Sequence, residues 1–283
     1  MVIWGVSWSS AKVMASYGDP LSIAYIRFLI VVVSLVPVIK LMKLDFKMPR
    51  NSILHVLTAG FFLGCYSLAF FSGLKVGTAG AGGVIVTVLN PIMAFLIGTI
   101  VSRNIPSRKE LAGLLIGVFG GAILLHLWDD WHYIMNDGNY LFVLGAFLWA
   151  LMSKVTSKAK AFGHPFVFNF WMHVFVIILL TALIDFGALK QVFASADSVF
   201  WWNMFYFGTV NSTIATGCYL YATSEIGAEQ ASSYVFIVPL GAVLSTWLFL
   251  DESIELHTVI GGLLGLLAVF VINKKPRKNK INS

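Results

Sequence analysis

With 283 residues, 58% of them hydrophobic and only 11% charged, the chain cannot present the surface of a soluble domain, where roughly 25% of residues are charged. Its net charge of +6 sits in narrow strips between long apolar runs, which argues against a nucleic-acid partner and for a lipid bilayer around most of the chain. Cys65 and Cys218, the two cysteines, both fall inside apolar runs and supply neither a disulfide framework nor metal-ligand spacing, so no metal or cofactor is expected.

Ten spans are predicted in chain order, near residues 2–17, 21–42, 52–73, 78–101, 110–128, 139–157, 165–187, 199–222, 228–250 and 256–273. Each is bounded by charge, proline or glycine. The first is short for a crossing, and residues 1–17 lack the basic region of a cleaved signal peptide. Very short connections such as Gly18 to Pro20 require antiparallel neighbours. Alternate connections collect Lys40, Lys43, Lys47 and Arg50, then Arg103, Arg108 and Lys109, then Lys154, Lys158 and Lys160. The tail adds Lys274, Lys275, Arg277, Lys278 and Lys280 on the same side. The other connections hold Lys75 and Lys190 among Asp129, Asp130, Asp137, Asp251, Glu252 and Glu255. The positive-inside rule therefore predicts a multi-pass protein of the cell membrane with both termini cytoplasmic. Glu225 and Glu229 are the exception, acids in a loop on the basic side.

The chain repeats itself faintly and in order. Trp4, Gly18 and Pro20 return 145 residues later as Trp149, Gly163 and Pro165, and Gly64-Cys65-Tyr66 returns at 153 as Gly217-Cys218-Tyr219. Gly77 matches Gly227 at 150; Pro91, Gly113 and Gly117 match Pro239, Gly261 and Gly265 at 148. The halves are 1–128 and 139–273, followed by a basic tail at 274–283. Five spans per half is an odd number, so the second half enters the membrane upside down. The expected fold is an all-α membrane protein of ten transmembrane helices in two inverted five-helix repeats. That arrangement serves secondary transporters, whose alternating access exchanges two repeat conformations about one midplane site.

The opening Trp4-Gly5-Val6-Ser7 with Lys12, the Asp19-Pro20 turn, Arg27-Phe28, the small-residue run from Thr78 to Pro91 and its second copy from Gly227 to Pro239 resemble the EamA-type branch of the drug/metabolite transporter superfamily. The resemblance covers essentially the whole chain. It implies a ten-helix inverted-repeat carrier with a central cavity, moving metabolites such as amino acids or their derivatives, often outward.

Several residues are candidates for the site. Arg27 lies about 10 Å past Pro20 at 1.5 Å per residue, where a charge costs about 2.5–3.5 kcal/mol on insertion scales. It either satisfies helix-end carbonyls or snorkels outward, or it binds an anionic or zwitterionic substrate. Trp4, Trp8 and Lys12 share a helical stripe, matched by Trp149, Ser153 and Ser157. This stripe reads either as a cavity wall or as an aromatic belt with a lysine at the outer interface. Pro91 and Pro239 free the carbonyls of Thr87 and Val235, and Asn90 adds a side-chain amide. Asn211 and Tyr219 on the most polar span, with Tyr66 as counterpart in span three, join Ser7 and Tyr234 as substrate-binding candidates. No carboxylate falls mid-span, which leaves His173 as the candidate for proton coupling. Gly113, Gly117 and Gly121, with Gly261 and Gly265, form small-xxx-small stripes that serve packing within the chain or a homodimer.

The expectation is a secondary transporter of small metabolites and not an enzyme: His55, His126 and His173 are isolated, and Asp129-Asp130 lacks ligand partners. A lipid flippase or a channel-like facilitator is the alternative.

Overall fold

In hydrocarbon every backbone N–H and C=O must be satisfied within the segment that carries it, and an apolar run of this length does so as a helix. The structure is a computed structural model that describes residues 1–103, 105–125, 127–128, 138–241 and 256–274, and the regular elements among these are all helical. They are α1 (Val2–Ala15), α2 (Pro20–Leu41), α3 (Ile53–Val76), α4 (Ala79–Ser102), α5 (Arg108–Leu124), α6 (Asn139–Thr156), α7 (Pro165–Thr181), α8 (Phe186–Ser195), α9 (Ser198–Phe205), α10 (Thr216–Ile226), α11 (Ala228–Ser233) and α12 (Leu256–Asn273). A π-helical stretch, Tyr206–Ala215, joins α9 to α10, and a 3₁₀ turn, Tyr234–Ile237, follows α11.

Helix starts are written in the sequence. Pro20 and Pro165 open α2 and α7 at the first turn, where a missing N–H costs nothing. Asp19 Oδ2 accepts from the Ser22 N–H at 2.9 Å, Thr78 Oγ1 from Ala81 N–H at 3.2 Å, and Ser107 with Glu110 closes a capping box on α5. Asp197 caps α9 through the Phe200 N–H at 2.9 Å and accepts from the Tyr17 hydroxyl at 2.7 Å, and these two donors hold its carboxyl below the usual carboxylate range.

Among the described residues, Pro20–Leu41, Arg50–Val76, Ala79–Val101 and Asn139–Thr156 are each long and apolar enough to cross a membrane. α7 and α8 together reach that length but meet at a bend of 111°. The predicted span at 165–187 therefore stops at Thr181, and the stretch beyond it is a separate helix rather than a connection. The reason is local: Asp185 caps a new helix through the Gly187 N–H at 2.7 Å. α1 and α5 are shorter than a full crossing, at 14 and 17 residues. Of the span predicted at 228–250, only the part to Gly241 lies within the described residues. Asp129, Asp130, Asp137, His126, Asp251, Glu252, Glu255 and the tail after Lys274 lie outside them.

One large core gathers Trp8, Phe28, Tyr66, Phe70, Phe71, Phe142, Trp149 and Phe168 between α1, α2, α3, α6 and α7. Apolar side chains also cover the outside, with Val33 70%, Ile100 78% and Phe119 66% exposed, as expected of a surface that meets lipid. α5 and α12 pack beside this core along their glycines: a Cβ on Gly261 would lie 2.8 Å from the Gly120 carbonyl oxygen, and one on Gly265 would lie 2.7 Å from that of Phe236. The glycine stripes thus serve packing within the chain. Replacing Gly261 by Ala is expected to cost about 1–2 kcal/mol, read as a lower thermal midpoint in detergent; an unchanged midpoint would show that the two helices separate freely.

Candidate functional site

Nine segments converge on one internal cavity. α1 contributes Trp4, Ser7 and Trp8, α2 Arg27, α3 Leu63, Tyr66 and Phe70, and α4 Val86, Thr87 and Asn90. Trp149 comes from α6, His173 from α7, Phe207, Asn211 and Ser212 from the π stretch, Thr216 from α10, and Val235 and Val238 from the segment around Pro239. Its volume is about 60 Å³, far below the roughly 300–1,000 Å³ of a drug-sized ligand site. The helices must part to admit a metabolite.

Tryptophans matched by the repeat meet at the centre. Trp4 and Trp149 touch edge to face with centroids 5.2 Å apart. Tyr66 lies 4.8 Å from Trp149, and Tyr219 4.9 Å from Trp4 and 5.7 Å from Trp149. Such rings give a solute apolar faces together with polar edges.

Arg27 is 4% exposed and turns inward, so neither helix-end carbonyls nor the membrane interface takes its charge. One guanidinium nitrogen, Nη2, donates to Ser67 Oγ at 2.6 Å, and Nε has no partner. Cζ lies 4.4 Å from the centroid of Phe28, 5.5 Å from that of Phe207 and 5.7 Å from that of Phe71. Aromatic faces stabilise a cation only partly, and no carboxylate is among the lining residues. The side-chain oxygens of Asn90 and Asn211 are likewise buried without partners. A cationic fork, two amides and an indole–phenol wall suit an amphipathic solute that carries a carboxylate.

Nine of the expected residues meet here: Trp4, Ser7, Trp8, Arg27, Tyr66, Asn90, Trp149, His173 and Asn211. Ser153 and Tyr219 stand one layer behind, hydrogen-bonded to each other at 3.0 Å. Tyr234 is 37% exposed and off the cavity wall, because the 3₁₀ turn rotates Val235 and Val238 inward instead. The two prolines act differently: α4 runs through Pro91 unbroken, whereas Pro239 follows the 3₁₀ turn. The hydroxyls of Thr213 in the π stretch and of Thr216 at the start of α10 donate to the carbonyls five residues back, of Gly208 and Asn211, so they serve the backbone. Phe70 and Phe207 were not anticipated.

Lys12 is not on the wall of this cavity. Its ammonium donates to the carbonyls of Leu74 at 2.5 Å and Gly77 at 2.7 Å, closing the end of α3, where helix carbonyls lack partners. Lys154 makes a comparable tie. Lys154, also in the last turn of its helix, pairs with Glu229 at 2.5 Å at the start of α11. Lys12 thus ties α1 to the junction of α3 and α4, and Lys154 ties α6 to the junction of α10 and α11. Beside Lys12 lies a groove of about 470 Å³ under α8, and beside Lys154 one of about 340 Å³. Lys160 pairs with Glu225 at 2.7 Å, so both acids that broke the charge pattern are matched by lysines.

Known proteins place the chain. The model of the EamA-like transporter family matches residues 1–126 and 136–274. The chain is 25% identical to the uncharacterized transporter YvbV of Bacillus subtilis, over 99% of its own length and 91% of the relative's. It is 23% identical to an uncharacterized transporter of Archaeoglobus fulgidus, over 97% and 95% of the two chains. A crystal structure 15% identical in sequence superposes with a TM-score of 0.73 over 96% of this chain and 94% of the other, which shows a shared fold. The chain belongs to the EamA-like transporter family and is an integral membrane protein of a transporter type.

Proposed function

We propose that the chain is a secondary carrier of small amphipathic carboxylates, amino acids with apolar side chains foremost, in the cell membrane. The observation that carries this reading is Arg27: a buried guanidinium on the cavity wall, with no carboxylate among the lining residues to neutralise it. A substrate carboxylate completes that pairing, the amides of Asn90 and Asn211 meet the solute's other polar groups, and the tryptophans take its side chain. Transport proceeds by alternating access between two inverted five-helix halves, 1–128 and 139–273, with both termini and the tail at 274–283 in the cytoplasm. The match of one family model to two successive segments and the contact between Trp4 and Trp149 support the paired halves. The family resemblance implies outward movement, which the solute's own outward gradient would drive. A homodimer would use surface other than the glycine stripes, which α5 and α12 occupy.

The test is counterflow in proteoliposomes. Vesicles loaded with unlabelled L-phenylalanine are expected to accumulate the labelled amino acid transiently, with saturation. Linear, voltage-driven flux would indicate a channel instead, and lipid scrambling without solute exchange a flippase.

A further inference from the structure

We propose that His173 is a proton site that fills together with the substrate carboxylate, so that one proton crosses with each carboxylate carried; this rests on the substrate reading above. The ring's chemistry is set by its hydrogen bond. Nδ1 lies 2.8 Å from the main-chain oxygen of Asn169, one helical turn back. A carbonyl oxygen only accepts, so Nδ1 carries the hydrogen and Nε2 keeps its lone pair. Nε2 has no hydrogen-bond partner among the described residues, and the residue lines the cavity.

Its position matches that of Arg27. Arg27 is seven residues past Pro20 and His173 eight past Pro165, the first residues of the matched helices α2 and α7. At 1.5 Å per residue the two sit about 10–12 Å along their helices, entering from opposite faces in the inverted arrangement. They meet on one ring: Arg27 Cζ is 4.4 Å and the His173 ring 5.4 Å from the centroid of Phe28.

The groups that face His173 are few. From α2 comes Arg27 and from α3 Tyr66; α1, α4, the π stretch and α10 contribute no charged or readily ionised side chain to the wall. A proton on Nε2 therefore places a second positive charge beside Arg27 in a site that shields charge poorly. A carboxylate between them is attracted to both. Proton and carboxylate each strengthen the binding of the other by the same factor, as linkage requires. In the transport step, water on the loading side supplies the proton, an N–H bond forms at Nε2, and the proton leaves to water on the far side as the carboxylate departs. A zwitterionic amino acid then carries one net positive charge across, and a simple monocarboxylate none.

The test uses the full chain in proteoliposomes with L-phenylalanine and an internal pH dye. In the wild type, one proton is expected to enter with each phenylalanine taken up. Its KM is expected to fall severalfold, and at most tenfold per pH unit, as pH drops from 8 to 6. His173→Gln is expected to transport more slowly, with a KM flat in pH and no proton movement. Should that variant not fold, the wild-type stoichiometry decides alone. Saturable phenylalanine counterflow in the wild type without proton movement overturns the proton site and leaves the carrier reading standing. A pH-dependent KM retained in His173→Gln overturns the assignment to His173. If no amino acid or other carboxylate is exchanged at all, the substrate reading falls and this proposal falls with it.

Discussion

Arg27→Met is expected to lower kcat/KM for L-phenylalanine by at least about 100-fold, close to 3 kcal/mol, while raising the thermal midpoint of the purified protein. The two effects have one cause. The guanidinium is taken out of water and, among the described residues, is met only by Ser67 and three aromatic rings. Exchange of poorly compensated buried charge for an apolar side chain of similar length is often stabilising, by about 1–4 kcal/mol. The site thus holds an unfavourable charge that a carboxylate partner makes favourable. Arg27→Lys keeps the charge but loses the planar fork, so transport should fall less than in the methionine variant. Transport assays and melting curves on the same preparations check both halves. A lower midpoint in Arg27→Met would recast the residue as a structural tie between α2 and α3.

The second large effect concerns the lysines at opposite ends of the molecule. Lys154→Ala is expected to open the face that carries it, because Lys154–Glu229 joins α6 to α11 in a half-buried setting where a lost pair is worth about 2 kcal/mol. That corresponds to a roughly thirtyfold change in population. Gly98 makes the contact possible: any Cβ there would run into the Glu229 side chain. The measurement is labelling of Asn90→Cys, in a background where Cys65 and Cys218 are serine, by a membrane-impermeant maleimide from each side. Labelling from the Lys154 face should accelerate about thirtyfold, and the swap Lys154→Glu with Glu229→Lys should return it toward the starting rate. Lys12→Met should act at the other face, where α3 would lose the ammonium from its terminal carbonyls. Unchanged labelling in Lys154→Ala would reduce the pair to a surface contact.

The apolar runs, the helix caps and the charge alternation determine where helices run, and those were readable because each depends on neighbours within a turn. That Arg27, Trp4 and Trp149 would line one cavity was legible because a buried cation is costly and because the tryptophans align at a spacing of 145 residues. Phe70 and Phe207 were not: the chain has 23 phenylalanines, and a cavity wall and a lipid-facing wall ask for the same side chain. Lys12 reads from the sequence as the polar end of that stripe, at a cavity or at the outer interface; its bonds to the end of α3 were not legible, since nothing local shows that Leu74, 62 residues later, lies within its reach. The π stretch escaped for a related reason. A polar run such as Asn211-Ser212-Thr213 suggests a wet face, but not that the backbone there takes five-residue hydrogen bonds.

The two lysine–glutamate pairs bear on how the chain is made. Lys154 precedes Glu229 by 75 residues and Lys160 precedes Glu225 by 65. At roughly 5–20 residues per second, the acids emerge from the ribosome about 3–15 s after the lysines. During that interval Lys154 and Lys160 stand without these partners, and the positive-inside rule would count both in full. Once Glu225 and Glu229 arrive, the same lysines are neutralised and become joints of the folded protein. With the orientation proposed above, order of synthesis would let one pair of side chains act first as a topogenic signal and afterwards as a fastening.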